Sequence, residues 1–463
     1  MFIKQFYTEG LEEAAYYVEA DGQVAIIDPL RDITPYINLA EERSAHIKYV
    51  FETHFHADFI SGHLDLAEKT GATIVFGPHA VPDYSVYVAQ DHEIFNLGDV
   101  KIKAIHTPGH TIESTCYLLI DNMGNDYAVF TGDTLLVGDV GKPDAAIHDE
   151  EQFREMGEML YDSLHKLLSL EDTVIVYPAH GPSVHGGKKL GTEHFTTIGE
   201  QRQNNQALQF MSKEEFIEKI MEDRQDPLRY YVKDAEMNRQ GYEQLENVVK
   251  KNVRALSVKE FEKELKKGVF LLDARTPQEF EKGFVEGAVN IGLKGKYDFW
   301  VGSLLEIDYP LLVIASLGEE EEVIKRLAGL GYENIRGYLK NGVDEWNKAG
   351  KPLHSVESVS VLQLKNLIDS GFKVLDVRSE EEVLLGHVIG AHHIPLHELQ
   401  ERHGELDKNK GYMVHCSEGY RSMVASSILK KAGFLQVKNI RGGFHEIHGK
   451  GDLPIYIKEA KSM

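Results

Sequence analysis

The sequence predicts a multidomain α/β protein, and three observations carry that expectation. The chain has 463 residues, which at roughly 100–200 residues per domain is two to four domains. Residues 1–210 mix short strand-like apolar runs with helical segments. Beyond residue 250 the sequence repeats itself, and each copy reads strand, helix, strand, helix, the pattern of a parallel sheet. Hydrophobic content of 42% is enough for packed cores, and charged content of 27% is that of a globular rather than a disordered chain.

The first strands are AAYYVEA and QVAIIDP, joined through Asp21-Gly22 as a hairpin. Thr34-Pro35 reads as a helix N-cap followed by proline at the first helical position. That helix leads into the strand IKYVFET, which ends at His54, and a second helix follows, broken at Gly71. TIVF, VKIKAI, CYLLI, YAVF and TVIVY are further strands. Ligand-type residues follow four strands: His54 after IKYVFET, His110 after VKIKAI, Asp133 after YAVF and His180 after TVIVY. Strand ends that feed one cluster put a single site on a sheet scaffold. Residues 211–250 are polar and helical with a break at Asp226-Pro227, and read as a closing helix plus a linker. In the repeat, LLDARTPQEFEKGFVEGAVNIGL (271–293) matches VLDVRSEEEVLLGHVIGAHHIPL (374–396). Asp273 and Asp376, Arg275 and Arg378, and Gly287 and Gly390 each lie 103 residues apart. These segments define three expected domains, 1–245, 246–352 and 353–463.

Lys and Arg number 50 against 74 Asp and Glu, a net charge of −24, which argues against a general nucleic-acid binder. Cys116 and Cys416 are too few for a disulfide framework and fit a reducing compartment. The opening MFIKQFYTEG lacks the apolar core of a signal peptide. No apolar run reaches the roughly 18 residues needed to cross a bilayer. The expectation is a cytoplasmic protein with no membrane and no nucleic-acid partner.

Four pieces of the first domain carry chemistry: THFHAD (53–58), TPGHT (107–111), TGDT (131–134) and PAHG (178–181). Imidazole and carboxylate are the ligand types of borderline divalent metals. Among 22 histidines a lone His-x-His says little, but four ordered pieces say much more. These motifs resemble the metallo-β-lactamase superfamily over residues 1–245. The resemblance implies a four-layer αββα sandwich with its metal site at one edge of the sheets. It also implies two metals in members that carry T-H-x-H-x-D-H. One metal takes the first two histidines and the TPGH histidine. The other takes the motif's aspartate, its final histidine and the PAH histidine, and the TGD aspartate bridges the two.

Here Phe59 stands where the final histidine would be, and a phenyl ring cannot ligate a metal. One metal is therefore expected, with Asp58 and His180 orienting its ligands or holding a water. Superfamily hydrolases of glutathione thioesters usually carry the complete two-metal set. The persulfide dioxygenases of the superfamily resemble this chain closely. That resemblance implies Fe(II) held by His54, His110 and Asp133, with His56 nearby. A two-histidine, one-carboxylate set with open positions suits oxygen chemistry. If His56 also binds, zinc becomes competitive. Lys142 and Lys188 (or Lys189) are candidate partners for substrate carboxylates, and Tyr177 either faces the metal or belongs to the core.

Cys416 opens a Cys-x4-Arg loop, Cys416-Ser417-Glu418-Gly419-Tyr420-Arg421, between a short apolar run and a helix-like segment. A thiol in that place meets backbone N–H groups and the positive end of a helix, and Arg421 adds a cation. Residues 355–455 resemble the rhodanese family, which implies a persulfide on Cys416 cradled by this six-residue loop. In the first copy LLVIASLGEEEE puts Ala315 at the cysteine and Glu320 at the arginine. Residues 251–350 therefore read as an inactive rhodanese-like domain serving as scaffold or subunit interface. Cys116, in ESTCYLLI, reads as a buried packing residue.

Taken together, the resemblances imply an iron-dependent persulfide dioxygenase that oxidises a small thiol persulfide, such as glutathione persulfide, to sulfite. Rhodanese sulfur transfer would then make or consume thiosulfate, in the service of sulfide detoxification. The expected partners are the persulfide, O2 and sulfite or thiosulfate, in a homo-oligomer. Two other readings stay open. One is a zinc-dependent hydroxyacylglutathione-type hydrolase with an appended rhodanese. The other is a non-enzymatic sulfur relay or sensor with a structural metal.

Overall fold

A computed structural model describes residues 1–143, 147, 149–181, 194–209, 212–222, 230–450 and 452–458. The candidates Lys188 and Lys189 and the expected break at Asp226-Pro227 lie outside the described residues. The chain divides into two compact units, Met1–Val248 with Ala328–Gly331, and Val249–Leu327 with Tyr332–Met463. Among the described residues no helix is long and apolar enough to cross a membrane.

The first unit holds two six-stranded sheets. One runs β1 (Phe2–Thr8), β2 (Glu13–Ala20), β3 (Gln23–Ile27), β4 (His46–Phe51), β5 (Thr73–Phe76) and β6 (Tyr87–Val88), in that order. The other has β7 (Ile94–Leu97), β8 (Val100–His106), β9 (Thr115–Ile120), β10 (Asp126–Gly132), β11 (Ile175–Pro178) and β12 (Thr196–Thr197) as successive neighbours. Side chains alternate across a strand, so β2 sends Tyr16 and Val18 one way and Ala15 and Tyr17 the other. The first pair joins Phe51, Val75, Ile102, Leu119 and Phe130 in a core between the sheets. The second pair meets Tyr36 and Ala40 of the helix Thr34–Glu42 and Leu66 of the helix His63–Thr70. On the far sheet, Cys116, Leu118, Val129 and Val176 pack on Phe153, Leu160 and Leu164 of the helix Glu150–Leu167. The layers are thus helix, sheet, sheet, helix. Strands buried on both faces lose the polar alternation of a one-sided sheet, which is why their runs read as continuously apolar.

The expected hairpin forms, with Asp21 and Gly22 both at positive φ (49° and 71°), as a two-residue type I′ connection requires. Two local expectations change. Thr34 is already helical and Ile33 holds the cap position. The Thr34 N–H finds the Asp32 carboxylate at 3.0 Å, so the side chain just before the cap residue accepts from the first helical N–H. The strand before His54 stops at Phe51, which frees Thr53–Asp58 to turn. The stretch read as a closing helix plus a linker carries the helices Lys213–Glu222 and Tyr231–Gln240. The first buries Phe216 and Ile217 under the second sheet, so packing makes it part of the unit.

The second unit contains the repeat. Its first copy has β13 (Ala255–Leu256), β14 (Phe270–Asp273), β15 (Val289–Asn290), β16 (Leu311–Ile314) and β17 (Ile335–Leu339), in the spatial order β13-β17-β16-β14-β15. The second has β18 (Glu357–Val359), β19 (Lys373–Asp376), β20 (Gly386–Val388), β21 (His392–His393), β22 (Tyr412–His415), β23 (Val437–Ile440) and β24 (Ile455–Ile457). Its main sheet runs β18-β23-β22-β19-β21, the same order, while β20 and β24 form a separate antiparallel pair. All pairings within the two five-stranded sheets are parallel.

The conserved spacing of the repeat has a common physical cause. Arg275 Nη2 donates to Asp273 at 2.6 Å and to Gly283 O at 2.9 Å, and Arg378 repeats this on Asp376 at 2.6 Å and Gly386 O at 2.8 Å. All four side chains are buried. Each pair ties the end of a central strand to the loop that follows the next helix. Removing one partner of a buried pair leaves an uncompensated charge, at a cost of about 3–5 kcal/mol. Asp376→Ala should lower the stability of the second unit by that amount, seen as a lower urea midpoint in equilibrium unfolding. An unchanged midpoint would show that the pair is not a structural tie.

Candidate metal centre and sulfur-transfer loop

Four strand ends deliver the candidate ligands to one place. His54 follows β4, His110 follows β8, Asp133 follows β10 and His180 follows β11. Ligand atoms of His54, His110 and Asp133 all lie within 4.8 Å of one another. Asp133 Oδ2 is 3.6 Å from His110 Nε2 and 4.0 Å from His54 Nε2. Hydrogen bonds occupy Nδ1 of each imidazole. The Thr53 hydroxyl donates its one proton to Asp28 Oδ2 at 2.9 Å, so His54 Nδ1–H donates to Thr53 Oγ1, also at 2.9 Å. His110 Nδ1–H donates to the Lys142 carbonyl at 2.6 Å. With each Nδ1 occupied as a donor, Nε2 is the ring nitrogen that faces Asp133 Oδ2. Burial, with the neighbouring imidazoles, holds His54 well below the usual histidine range, so it stays neutral.

His180 is placed differently. Its Nδ1 meets Asp133 Oδ1 at 2.6 Å and its Nε2 meets Asp58 Oδ2 at 2.8 Å. Burial opposes a charge there, but the two carboxylates raise His180 well above its ordinary value. An imidazolium donating from both nitrogens has no lone pair for a metal. Phe59 is buried, its ring 4.4 Å from that of His56. His56 belongs to a second, deeper group: its Nε2 is 3.2 Å from Asp28 Oδ1 and 3.5 Å from Glu52 Oε2. Burial disfavours its charge, yet Asp28 and Glu52 push it up to about 9.

The donor set fits a divalent cation. His54 is neutral, and His180 offsets only one of the two carboxylates, Asp58 and Asp133, that it bridges. A cation held by His54 Nε2, His110 Nε2 and Asp133 Oδ2 offsets the other.

Several supporting residues carried no signal in the sequence. Asn238, from the helix Tyr231–Gln240, donates to His56 O and Phe59 O at 2.8 Å each and accepts from Ser61 N–H at 2.9 Å. Glu113 accepts from Phe55 N–H at 3.0 Å. Asp28 could have been suspected, as an acid directly after the apolar run of β3. Of the suggested substrate groups, Lys142 contributes its backbone carbonyl. Tyr177 stacks on Phe130 at 5.4 Å and lies 5.2 Å from Tyr16, inside the inter-sheet core. Cys116 is buried beneath the ligand loops, 3.2 Å from Thr107 Oγ1, and burial pushes its thiol up to about 11.

In the second unit, Cys416 lies directly after β22, and Gly419 N–H points at its Sγ from 3.1 Å. A second turn braces the loop: Phe444 N–H donates to Cys416 O at 2.7 Å and His445 N–H to Ser417 O at 3.1 Å. Arg421 is the fixed cation expected at the end of the loop, and Glu382 and Ser417 are what fix it. Its guanidinium grips Glu382 at 2.5 and 2.7 Å and Ser417 Oγ at 2.9 Å. Glu418 is exposed at the mouth. In the first copy, Ala315 ends at the same place, Glu320 starts the helix, and Glu279 faces Ser316 Oγ at 3.3 Å. The carboxylate partner is thus retained there while the thiol and the guanidinium are gone.

Burial opposes ionisation of Glu382, but Arg421 holds its carboxyl down at about 2, against 4.5 in an unfolded chain. A depressed carboxyl stabilises the fold above its unfolded value, and that contribution disappears as pH falls from about 4.5 toward about 2. Acid unfolding of wild type should show this loss, and Glu382→Gln should flatten the profile over that window. Identical profiles would mean that the pair contributes nothing.

A model of the metallo-beta-lactamase superfamily matches residues 9–180, and one of the rhodanese-like domain matches residues 257–349 and 360–450. A hydroxyacylglutathione hydrolase of Pelagibacter ubique is 30% identical over 165 residues, 35% of this chain and 63% of that protein. Glyoxylase B2 of Dictyostelium discoideum is 29% identical over 228 residues, 45% of this chain and 72% of that protein. The chain thus spans less than two thirds of the first of these relatives. Among solved structures, a metallo-beta-lactamase from Staphylococcus aureus is 28% identical with a TM-score of 0.66, covering 73% of this chain and 99% of that one. ETHE1 from Myxococcus xanthus is 28% identical with a TM-score of 0.43, covering 52% of this chain and 98% of that one. The chain carries a metallo-beta-lactamase domain followed by two rhodanese-like domains.

Proposed function

We propose that the first unit is an iron-dependent persulfide dioxygenase and that the Cys416 loop is a sulfurtransferase acting on the same sulfur pool. The observation that carries the first half is the commitment of His180 to Asp58 and Asp133. That arrangement supports a single two-histidine, one-carboxylate centre over a bridged pair of metals. Bound by His54, His110 and Asp133, a ferrous ion would supply open positions for a persulfide sulfur and for dioxygen, and the redox chemistry between them.

The protein's own groups have definite tasks. Thr53 and the Lys142 carbonyl hold the two imidazoles with Nε2 inward. His180 holds Asp133 through Oδ1 so that Oδ2 faces the metal. Phe59 is buried against His56 and offers no ligand atom. The overall reaction balances as one persulfide, one O2 and one water giving one thiol, one sulfite and two protons. Sulfite can then take the outer sulfur of a Cys416 persulfide, forming thiosulfate and returning the thiol. The reverse step loads Cys416 from thiosulfate. Gly419 N–H would stabilise the anionic sulfur in either direction.

The names of the hydrolase relatives support a second reading, in which the same centre holds zinc and cleaves a glutathione thioester. Protein purified without oxygen should contain one iron per chain and consume O2 on glutathione persulfide or another small thiol persulfide, releasing sulfite. His110→Ala should lose both the metal and the O2 uptake. Stoichiometric zinc, thioester hydrolysis and no O2 uptake on any persulfide would establish the hydrolase instead. Cys416→Ser should abolish thiosulfate turnover and leave O2 uptake intact. Loss of both activities would show that the two centres are not separate.

A further inference from the structure

Tyr420 is the fifth residue of the Cys416 loop. It follows Gly419, whose N–H faces the thiol, and precedes Arg421, which grips Glu382. Its side chain takes no part in either contact. It leaves its own repeat and enters the other one. The hydroxyl donates to Gly292 O at 2.8 Å. The ring lies so close to Gly295 that a Cβ there would come within 2.8 Å of Cε2, and one on Gly292 would come within 3.5 Å. Gly295 has φ +133°, a conformation that other residues rarely adopt, so glycine there serves both the turn and the close approach. Burial pushes the Tyr420 phenol well up, which keeps it a hydrogen-bond donor.

The helix that follows, Tyr420–Lys431, continues the contact. Every residue from Ser422 to Leu429 is buried, so the middle of the helix has no solvent face. Met423 joins the core of the first repeat, and Asn290 N–H donates to Ser427 Oγ at 2.9 Å. Gln400 Nε2 adds a bond to Leu304 O at 2.9 Å.

We propose that Tyr420 is a positioning residue for Cys416 and that the Gly292–Gly295 turn of the inactive repeat is its socket. The sulfur loop is held in shape from outside its own domain. This gives the repeat that lost its nucleophile a defined task in sulfur transfer, and it rests on the reading of Cys416 as the sulfur carrier. The physical link is short. Fixing the Tyr420 ring fixes the backbone at the first turn of the helix, one residue from the Gly419 amide that meets the sulfur.

The test uses the full chain and four variants: Tyr420→Phe, Tyr420→Ala, Gly295→Ala and the double change Tyr420→Ala/Gly295→Ala. Sulfur transfer from thiosulfate to cyanide is measured across thiosulfate concentrations. Unfolding curves let each rate be expressed per folded protein. Tyr420→Ala should lower kcat by about tenfold or more with little change in KM, because geometry and not binding is lost. Tyr420→Phe keeps the ring and should retain most of the rate. Gly295→Ala should lower kcat alone but add nothing to Tyr420→Ala, since the socket then has no occupant. A Tyr420→Ala kcat within about twofold of wild type, or losses that simply multiply in the double variant, would overturn the proposal. If wild type transfers no sulfur at all, the carrier reading fails by itself. Positioning is then judged by the rate of Cys416 alkylation with iodoacetamide, with Cys416→Ser as the blank. The same pattern across the four variants is required, and equal alkylation rates would overturn the proposal.

Discussion

The metal centre depends on one imidazolium held between two carboxylates. His180 donates to Asp133 Oδ1 from one nitrogen and to Asp58 Oδ2 from the other. Charges out of water are expensive, and this one is sustained because both of its protons have anionic acceptors. The same contact has two further effects. It leaves Asp133 with only Oδ2 to share, on the side where His54 and His110 present Nε2. It also uses up the two groups that could have built a second metal site next to Phe59. His180 offsets one of its two carboxylates, and behind it His56 likewise faces two, Asp28 and Glu52. A buried region with that balance favours a cation at the open trio.

In the second unit a different constraint is repeated and then partly released. Both copies keep the buried Asp–Arg pair that ties the central strand to its loop, and both keep the carboxylate facing the end of the next strand. What differs is confined to the loop. One copy has a thiol with a guanidinium locked onto Glu382. The other has Ala315 and an acidic helix start. The framework is thus indifferent to the chemistry it carries, as expected when strands and helices supply the stability and a loop supplies the site. A small-residue helix buried through its middle then joins the copies. Its hydroxyls stay satisfied because Ser426 and Ser427 donate back to carbonyls of their own helix.

The motifs were legible because each is local. THFHAD, TPGH, TGD and PAH are short, and each follows an apolar strand, so their convergence at one sheet edge could be anticipated from order alone. Phe59 was equally plain, since a single residue decides whether a ligand exists. The repeat was legible because its framework pair recurs at a fixed spacing. The helical character of the stretch after residue 211 was legible too, but where its closing helix ends and a linker begins was not, because amphipathic surface helices and linkers share a polar composition. Only the packing of Phe216 and Ile217 under the second sheet tells them apart.

Residue types and their order therefore determined the fold class, the set of candidate ligands and the absence of a thiol and a guanidinium from the loop of one repeat. Tertiary structure alone decided what each of those groups is free to do. Whether a nitrogen has a lone pair, a carboxylate a spare oxygen or a guanidinium an unspent charge depends on neighbours distant in the chain. Asp58 reaches His180 across 122 residues, Glu382 reaches Arg421 across 39, and Gly292 reaches Tyr420 across 128. Hydrogen bonds are short and saturable, so a group's chemistry is set by the partners the fold places within about 3 Å, and no local pattern specifies those.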